Sequence, residues 1–93
     1  MLTIHQGSKS FYVGESEDKP LAELVFEYSG EGIINIEHTN VSEVLRGQNV
    51  GRQLLQKLVE WARTENKKIV PHCPFAKAEM IKNKEYADVL VND

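Results

Sequence analysis

The sequence predicts an α+β fold: a mixed, mostly antiparallel twisted sheet with two helices packed on it. Three observations predict it. Over residues 2–41 apolar and polar side chains alternate with the period of two that a half-buried strand requires. From Val50 onward the apolar period lengthens to that of a helix. A second helical stretch, residues 74–83, then lies between two short apolar runs.

In order along the chain, Leu2, Ile4 and Gln6 alternate with Thr3 and His5, and Gly7-Ser8 offers a turn. Phe11, Tyr12 and Val13 are strand formers. Residues 14–20 are polar, end in proline, and read as a loop. In residues 21–28, Ala22, Leu24, Phe26 and Tyr28 share one face, with Glu23 and Glu27 on the other. After a turn at residues 29–32, residues 33–41 alternate again. Strict alternation puts Ile34, Ile36 and His38 on one face and Ile33, Asn35, Glu37 and Thr39 on the other. Four strands joined by short turns make a meander.

Val50, Leu54, Leu55, Leu58, Trp61 and Ala62 then recur at helical spacing, opposite Arg52, Gln53, Gln56, Lys57, Glu60 and Arg63. This amphipathic helix runs to about Glu65, where Asn66 is placed to close it. Trp61 belongs to its core face. Residues 67–71 read as a short strand, and Pro74 suits the first position of the second helix. A last short strand is expected around residues 89–91.

With 93 residues the chain is expected to form one domain over its whole length, residues 1–93. Its net charge of -3 argues against a nucleic-acid partner, which requires a basic face. No apolar run has the length of a membrane span, so no membrane partner is expected, and the amino terminus lacks a signal-peptide pattern. The single cysteine, Cys73, has no internal disulfide partner, and the simplest compartment is the reducing cytoplasm. No metal-ligand set is singled out.

The stretch LRGQNVGRQLL, residues 45–55, places Gly47 and Gly51 at the mouth of a helix. Glycine there weakens the helix and adds nothing to a core. Either the chain simply turns, or something approaches its backbone. Amides exposed before a helix, with the positive end of the helix dipole, form an anion site, and a phosphate or pyrophosphate is the natural guest. Arg46 and Arg52 would add charge, or stand as solvated residues at the helix start. The spacing is neither a P-loop, because no Lys-Ser/Thr follows Gly51, nor a three-glycine dinucleotide fingerprint.

A strand, then Arg46-Gly47-Gln48-Asn49-Val50-Gly51, then a leucine-rich helix resembles the acetyl-CoA signature of the GNAT superfamily of acyltransferases, Gln/Arg-x-x-Gly-x-Gly/Ala. Asn49 stands where the first motif glycine is expected, and asparagine tolerates the left-handed conformation. The stretches HTNVSEVLRGQNVG, WARTENKKIVPHCPF and KEYADVL look like a short, single-domain, acetyl-CoA-binding subfamily, over about residues 21–90. The resemblance implies a GNAT-like fold shortened by loss of the helices between the first two strands. It implies that the strand ending at Val41 splays from the strand at Ile69. The pantetheine arm of acetyl-CoA would enter the gap and pair with backbone near His38, Thr39, Asn40 and Val41. The pyrophosphate would rest on the amides of Gly47, Gln48, Asn49, Val50 and Gly51. Many members carry a tyrosine that protonates the leaving thiolate. Here that position falls near Met80, with Tyr86 beyond it.

Three residues are candidates for chemistry. Cys73, at the expected N-cap of the second helix, is a space-filling residue, a reactive thiol that accepts acetyl, or a cofactor contact. His72 beside it is placed to take a proton, although strand neighbours point opposite ways. His38 is a candidate base for an amine, or a hydrogen-bonded residue at the sheet rim. The resemblance implies Glu37 as the second candidate base, since GNAT members sometimes use a glutamate on this strand. Phe75 packs on pantetheine or staples the second helix. Glu15, Glu17 and Asp18 either attract a basic acceptor or form a solvated turn. The leading expectation is transfer of acetyl from acetyl-CoA to an unidentified amine, a small molecule or a protein, by a monomer or weak dimer. The alternatives are an acetyl-CoA-binding module without turnover, an acetyl carrier through Cys73, and an interaction domain without cofactor.

Overall fold

The computed structural model describes residues 2–91. Five strands form one sheet in sequence order: β1 (His5–Gln6), β2 (Ser10–Ser16), β3 (Lys19–Tyr28), β4 (Ile33–Val41) and β5 (Lys68–Pro71). The first four pair antiparallel. β5 runs parallel to β4, and the connection between them is helix α1 (Val50–Thr64), as a parallel pair requires. Helix α2 (Pro74–Lys82) follows β5, with Pro74 in its first turn. The mixed sheet with two packed helices is the expected architecture.

The helical period of the second half is realised in the packing. Val50, Leu54, Leu55, Leu58 and Ala62 are buried, and so is Val59. They cover Ala22, Leu24 and Phe26 of β3 and Ile34 and Ile36 of β4 in one continuous core. Each fully buried leucine, isoleucine or phenylalanine here contributes about 1.5–3 kcal/mol. Trp61 is half-buried and closes one end, its ring 5.1 Å from Phe26 and 5.8 Å from Phe11. Asn66, at φ 57°, ends α1 as expected. The Lys67 amide donates to the Ala62 carbonyl at 2.7 Å and the Asn66 amide to Arg63 at 3.2 Å, which together make a Schellman closure.

Three expectations need correction. Residues 14–20 are not an open loop. β2 continues to Ser16 and β3 begins at Lys19, leaving only Glu17 and Asp18 between them, with a register irregularity at Gly14. Glu17 reaches back instead of facing solvent freely. Its carboxylate accepts from the amides of Ser8 and Lys9 at 3.1 and 2.9 Å and from Ser10 Oγ at 2.9 Å. The first strand is also shorter than expected, with only His5 and Gln6 paired, although Leu2 and Ile4 still pack on the core. The last strand is reduced to one bridge. Leu90 pairs with Ile69, the chain between having turned through a 3₁₀ segment at Lys84–Tyr86. The amides of Val89 and Leu90 both turn back to the Tyr86 carbonyl, at 3.2 Å each, and so do not join the sheet.

Among the described residues no helix is long and apolar enough to cross a membrane.

Candidate functional site

β4 and β5 pair only from Ile33 with Lys68 to Ile36 with Pro71. Beyond that the strands part. The amides of His72 and Cys73 both turn back to the Ile36 carbonyl, at 3.0 and 3.2 Å. Residues 38–41 stay paired to β3 on one side, and residues 37–41 have no strand on the other among the described residues.

A bulge coincides with the parting point. Phe26 faces Ile36 but Val25 faces His38, so Glu37 is an extra residue in β4. One extra residue reverses the alternation beyond it. Thr39 pairs with buried Leu24 and Val41 with buried Ala22, which places both on the core face. His38 pairs with Val25 and lies on the opposite, exposed face. The face assignments read from strict alternation are therefore inverted for His38 and Thr39. Glu37 is exposed at the bulge itself, and Asn40 is exposed with its amide donating to Glu23 at 3.3 Å.

On the core face, Thr39, Val41, Gly51 and Phe75 line a cleft of about 300 Å³. It joins the unpaired end of β4 to the opening of α1 and the first turn of α2. Cys73 lies beside it, buried, with its Sγ 3.6 Å from Thr39 Oγ1 across the gap. Burial raises the Cys73 thiol pKa. The Ala76 amide, the Thr39 hydroxyl and the amides of Phe75 and Thr39 act the other way and prevail, so it lies below the ordinary thiol value. The helix amides act through nearness, since the side chain makes no formal capping hydrogen bond. His72 is exposed and lines a separate groove with Lys77 and Ile81.

The glycine loop opens this cleft. After a 3₁₀ turn at Glu43–Leu45, Gly47 takes φ 85° and Asn49 takes φ 56°, both left-handed. Asn49 thus adopts the conformation expected of it. As the N-cap of α1 it makes no side-chain capping bond. Helix starts leave four amides without intrahelical partners, and a cap usually satisfies one of them. Here none of the hydrogen bonds among the described residues uses the amide N–H of any residue from 47 to 52. Successive amides in such a left-handed turn form an anion-binding concavity.

The two glycines serve different ends. A side chain at Gly47 would meet open space, and only its φ demands glycine. A Cβ at Gly51 would lie 3.0 Å from the Phe75 ring, so glycine there admits the ring. Val50 is buried, and only its backbone is available to the loop. Arg46 and Gln48 are exposed, with the Gln48 carbonyl accepting from Gln53 Nε2 at 2.9 Å.

Arg52 is not simply a free charge beside the loop. Its Nε lies 2.8 Å from Glu79 Oε1, and Lys82 Nζ lies 3.2 Å from Glu79 Oε2. Glu79 is the one buried charged residue among the described residues. Sequence reasoning passed it over, although a signal was present: it shares the buried face of α2 with Ala76 and Met80 at the i, i+3, i+4 spacing. Met80 is core, 1% exposed. Tyr86 lies on the far side of α2, in a groove with Arg52, Gln56 and Glu79. Among the described residues no tyrosine lines the cleft beside Cys73.

Among curated protein sequences none matches this chain. The sequence model of the family described as GCN5-related N-acetyl-transferase matches residues 10–89. The NMR solution structure of a GCN5-like protein from Staphylococcus aureus is similar in fold, with a TM-score of 0.83. The two are 43% identical, and the match covers 99% of this chain and 90% of the other. A family match over most of the chain and a close structural likeness agree with the parted strands and glycine loop: the chain belongs to the GCN5-related N-acetyltransferase family.

Proposed function

We propose that this acetyltransferase binds acetyl-CoA with the diphosphate on the amides of residues 47–52. The pantetheine arm then runs through the cleft lined by Thr39, Val41 and Phe75. The observation that carries the reading is the row of unpaired amides held by Gly47 and Asn49 in left-handed conformation at the start of α1. Such an array, at the positive end of a 15-residue helix, favours a phosphate over water. The free edge of residues 37–41 offers backbone groups to the amides of the arm.

The thioester then lies where β4 and β5 part, and the gap joins the helix-covered face to the exposed one. An amine approaches from the exposed face, where His38 and Glu37 stand. Either takes a proton from the amine as nitrogen attacks the thioester carbonyl. The carbon–sulfur bond breaks and coenzyme A leaves as its thiolate. Backbone amides of the unpaired strand edge near Val41 stabilise the oxyanion. The acceptor is an amine on a small molecule or a protein, the working unit a monomer or weak dimer, and the setting the cytoplasm.

A second reading rests on Cys73. Its lowered thiol pKa and its place beside Thr39 suit attack on the same thioester. A sulfur–carbon bond forms to the acetyl group and coenzyme A thiolate departs, leaving acetyl-cysteine.

Titration of the ¹⁵N-labelled protein with acetyl-CoA tests the site, with the largest shifts expected at residues 47–52. Shifts confined elsewhere would refute it. Release of coenzyme A thiol with a panel of amines separates enzyme from binding module. Intact mass after incubation with acetyl-CoA, against Cys73→Ser, separates direct transfer from the carrier.

A further inference from the structure

We propose that Glu79 is a positioning residue for the coenzyme: it fixes Arg52 at the opening of α1 and so sets how strongly the loop holds phosphate. The inference rests on the diphosphate reading of residues 47–52.

A carboxylate is buried only when its surroundings compensate the lost hydration. Glu79 meets that condition with two cations, one on each oxygen. Lys82 lies one turn along α2 and would neutralise the carboxylate by itself. Arg52 comes from the other helix. It is the third residue of α1 and so lies within the first turn, among the residues whose amides are unpaired. Two cations against one anion leave the cluster net positive, so Glu79 weakens the attraction for phosphate by charge without reversing it, and its benefit lies in holding Arg52 in place.

The mode of contact also matters. Glu79 meets Arg52 through Nε as an ion pair, and no side-chain hydrogen bond among the described residues engages the guanidinium. The side chain remains 56% exposed, with its terminal nitrogens free to donate. A long arginine at a helix start ordinarily loses rotamer freedom when it closes on a ligand. Held by Glu79, Arg52 has lost much of that freedom beforehand, and binding is stronger by the amount saved. Phosphate affinity thereby comes to depend on a residue of α2 that does not line the cleft.

The test compares coenzyme A with pantetheine, which lacks phosphates, by NMR titration of wild type, Glu79→Gln, Arg52→Gln and the double variant. Glutamine keeps the shape of Glu79 and removes its charge. Coenzyme A affinity is expected to fall about three- to tenfold in Glu79→Gln, with pantetheine affinity unchanged. In the Arg52→Gln background the same change is expected to have no further effect. An equal loss for both ligands, or an undiminished loss in the Arg52→Gln background, would show a merely structural role and overturn the proposal. Unchanged or raised coenzyme A affinity in Glu79→Gln would overturn it too. Wild-type protein that binds coenzyme A no better than pantetheine would instead overturn the loop reading, and this assignment with it.

Discussion

The Phe75 ring lies against Gly51 so closely that a single added carbon would sit 3.0 Å from its Cζ. The second glycine of the loop therefore leaves room for an aromatic wall of the cleft rather than only for a ligand. Gly51→Ala adds helix propensity worth up to about 1 kcal/mol but drives the ring toward Thr39 and Val41. We expect a melting temperature close to wild type and acetyl-CoA affinity about tenfold lower, some 1.4 kcal/mol. Phe75→Leu in the same chain should restore most of it. Calorimetric titration of both variants checks this, and an additive pair would show that the two residues do not communicate.

Cys73 has a thiol pKa below the ordinary value, with hydrogen bonding prevailing over burial. Its alkylation by a small reagent should therefore begin at lower pH than for a free thiol, and Thr39→Val should shift the onset upward. The folding consequence follows in sign. A group whose pKa is depressed on folding stabilises the protein above its unfolded pKa, and the effect is lost as pH falls through the folded value. The stability difference between wild type and Cys73→Ala should thus be larger at alkaline pH than at acid pH, as denaturant titrations would reveal.

Glu17 ties the turn after β1 to the turn between β2 and β3. The Lys9 amide is the chief cause of its lowered pKa, partly offset by desolvation, with Ser10 and Ser8 adding to it. Glu17→Ala should destabilise the fold by on the order of 1 kcal/mol. The stabilisation is present above the unfolded glutamate pKa and is lost as pH falls through the depressed folded one. Wild type and Glu17→Ala should therefore converge in stability in acid. Gly7 follows from the same contact, since a Cβ there would sit 2.3 Å from the Glu17 carboxyl carbon.

His38 and Glu37 occupy the exposed side of the parted strands. If one is the base, its replacement by alanine should lower kcat about a hundredfold or more while acetyl-CoA affinity stays unchanged. Loss of affinity in proportion to rate would assign the residue to binding instead.

Much of this was legible in the sequence. Helix α1, its closure at Asn66, the proline opening α2 and the left-handed turn at Asn49 each follow from local propensity, which acts within a few residues. Long-range consequences were less visible. Alternation gave no sign that Glu37 is supernumerary, because a bulge depends on the pairing of β3 with β4. Residues 14–20 read as loop by composition, but their acid is consumed by the amides of Ser8 and Lys9. Arg52 read as a loose charge because its partner lies 27 positions away on another helix.

The supernumerary residue in β4 decides which side of the sheet the rest of the strand presents. Were Glu37 to pair with Val25 in regular alternation, the strand beyond it would slip by one position. His38 and Asn40 would then project among the helices, and Thr39 and Val41 would face water. Because Glu37 is passed over, its deletion would instead leave His38 opposite Val25 and Thr39 opposite Leu24. What stands on either side of the parted strands is thus set by which residue goes unmatched, as much as by which amino acids follow it.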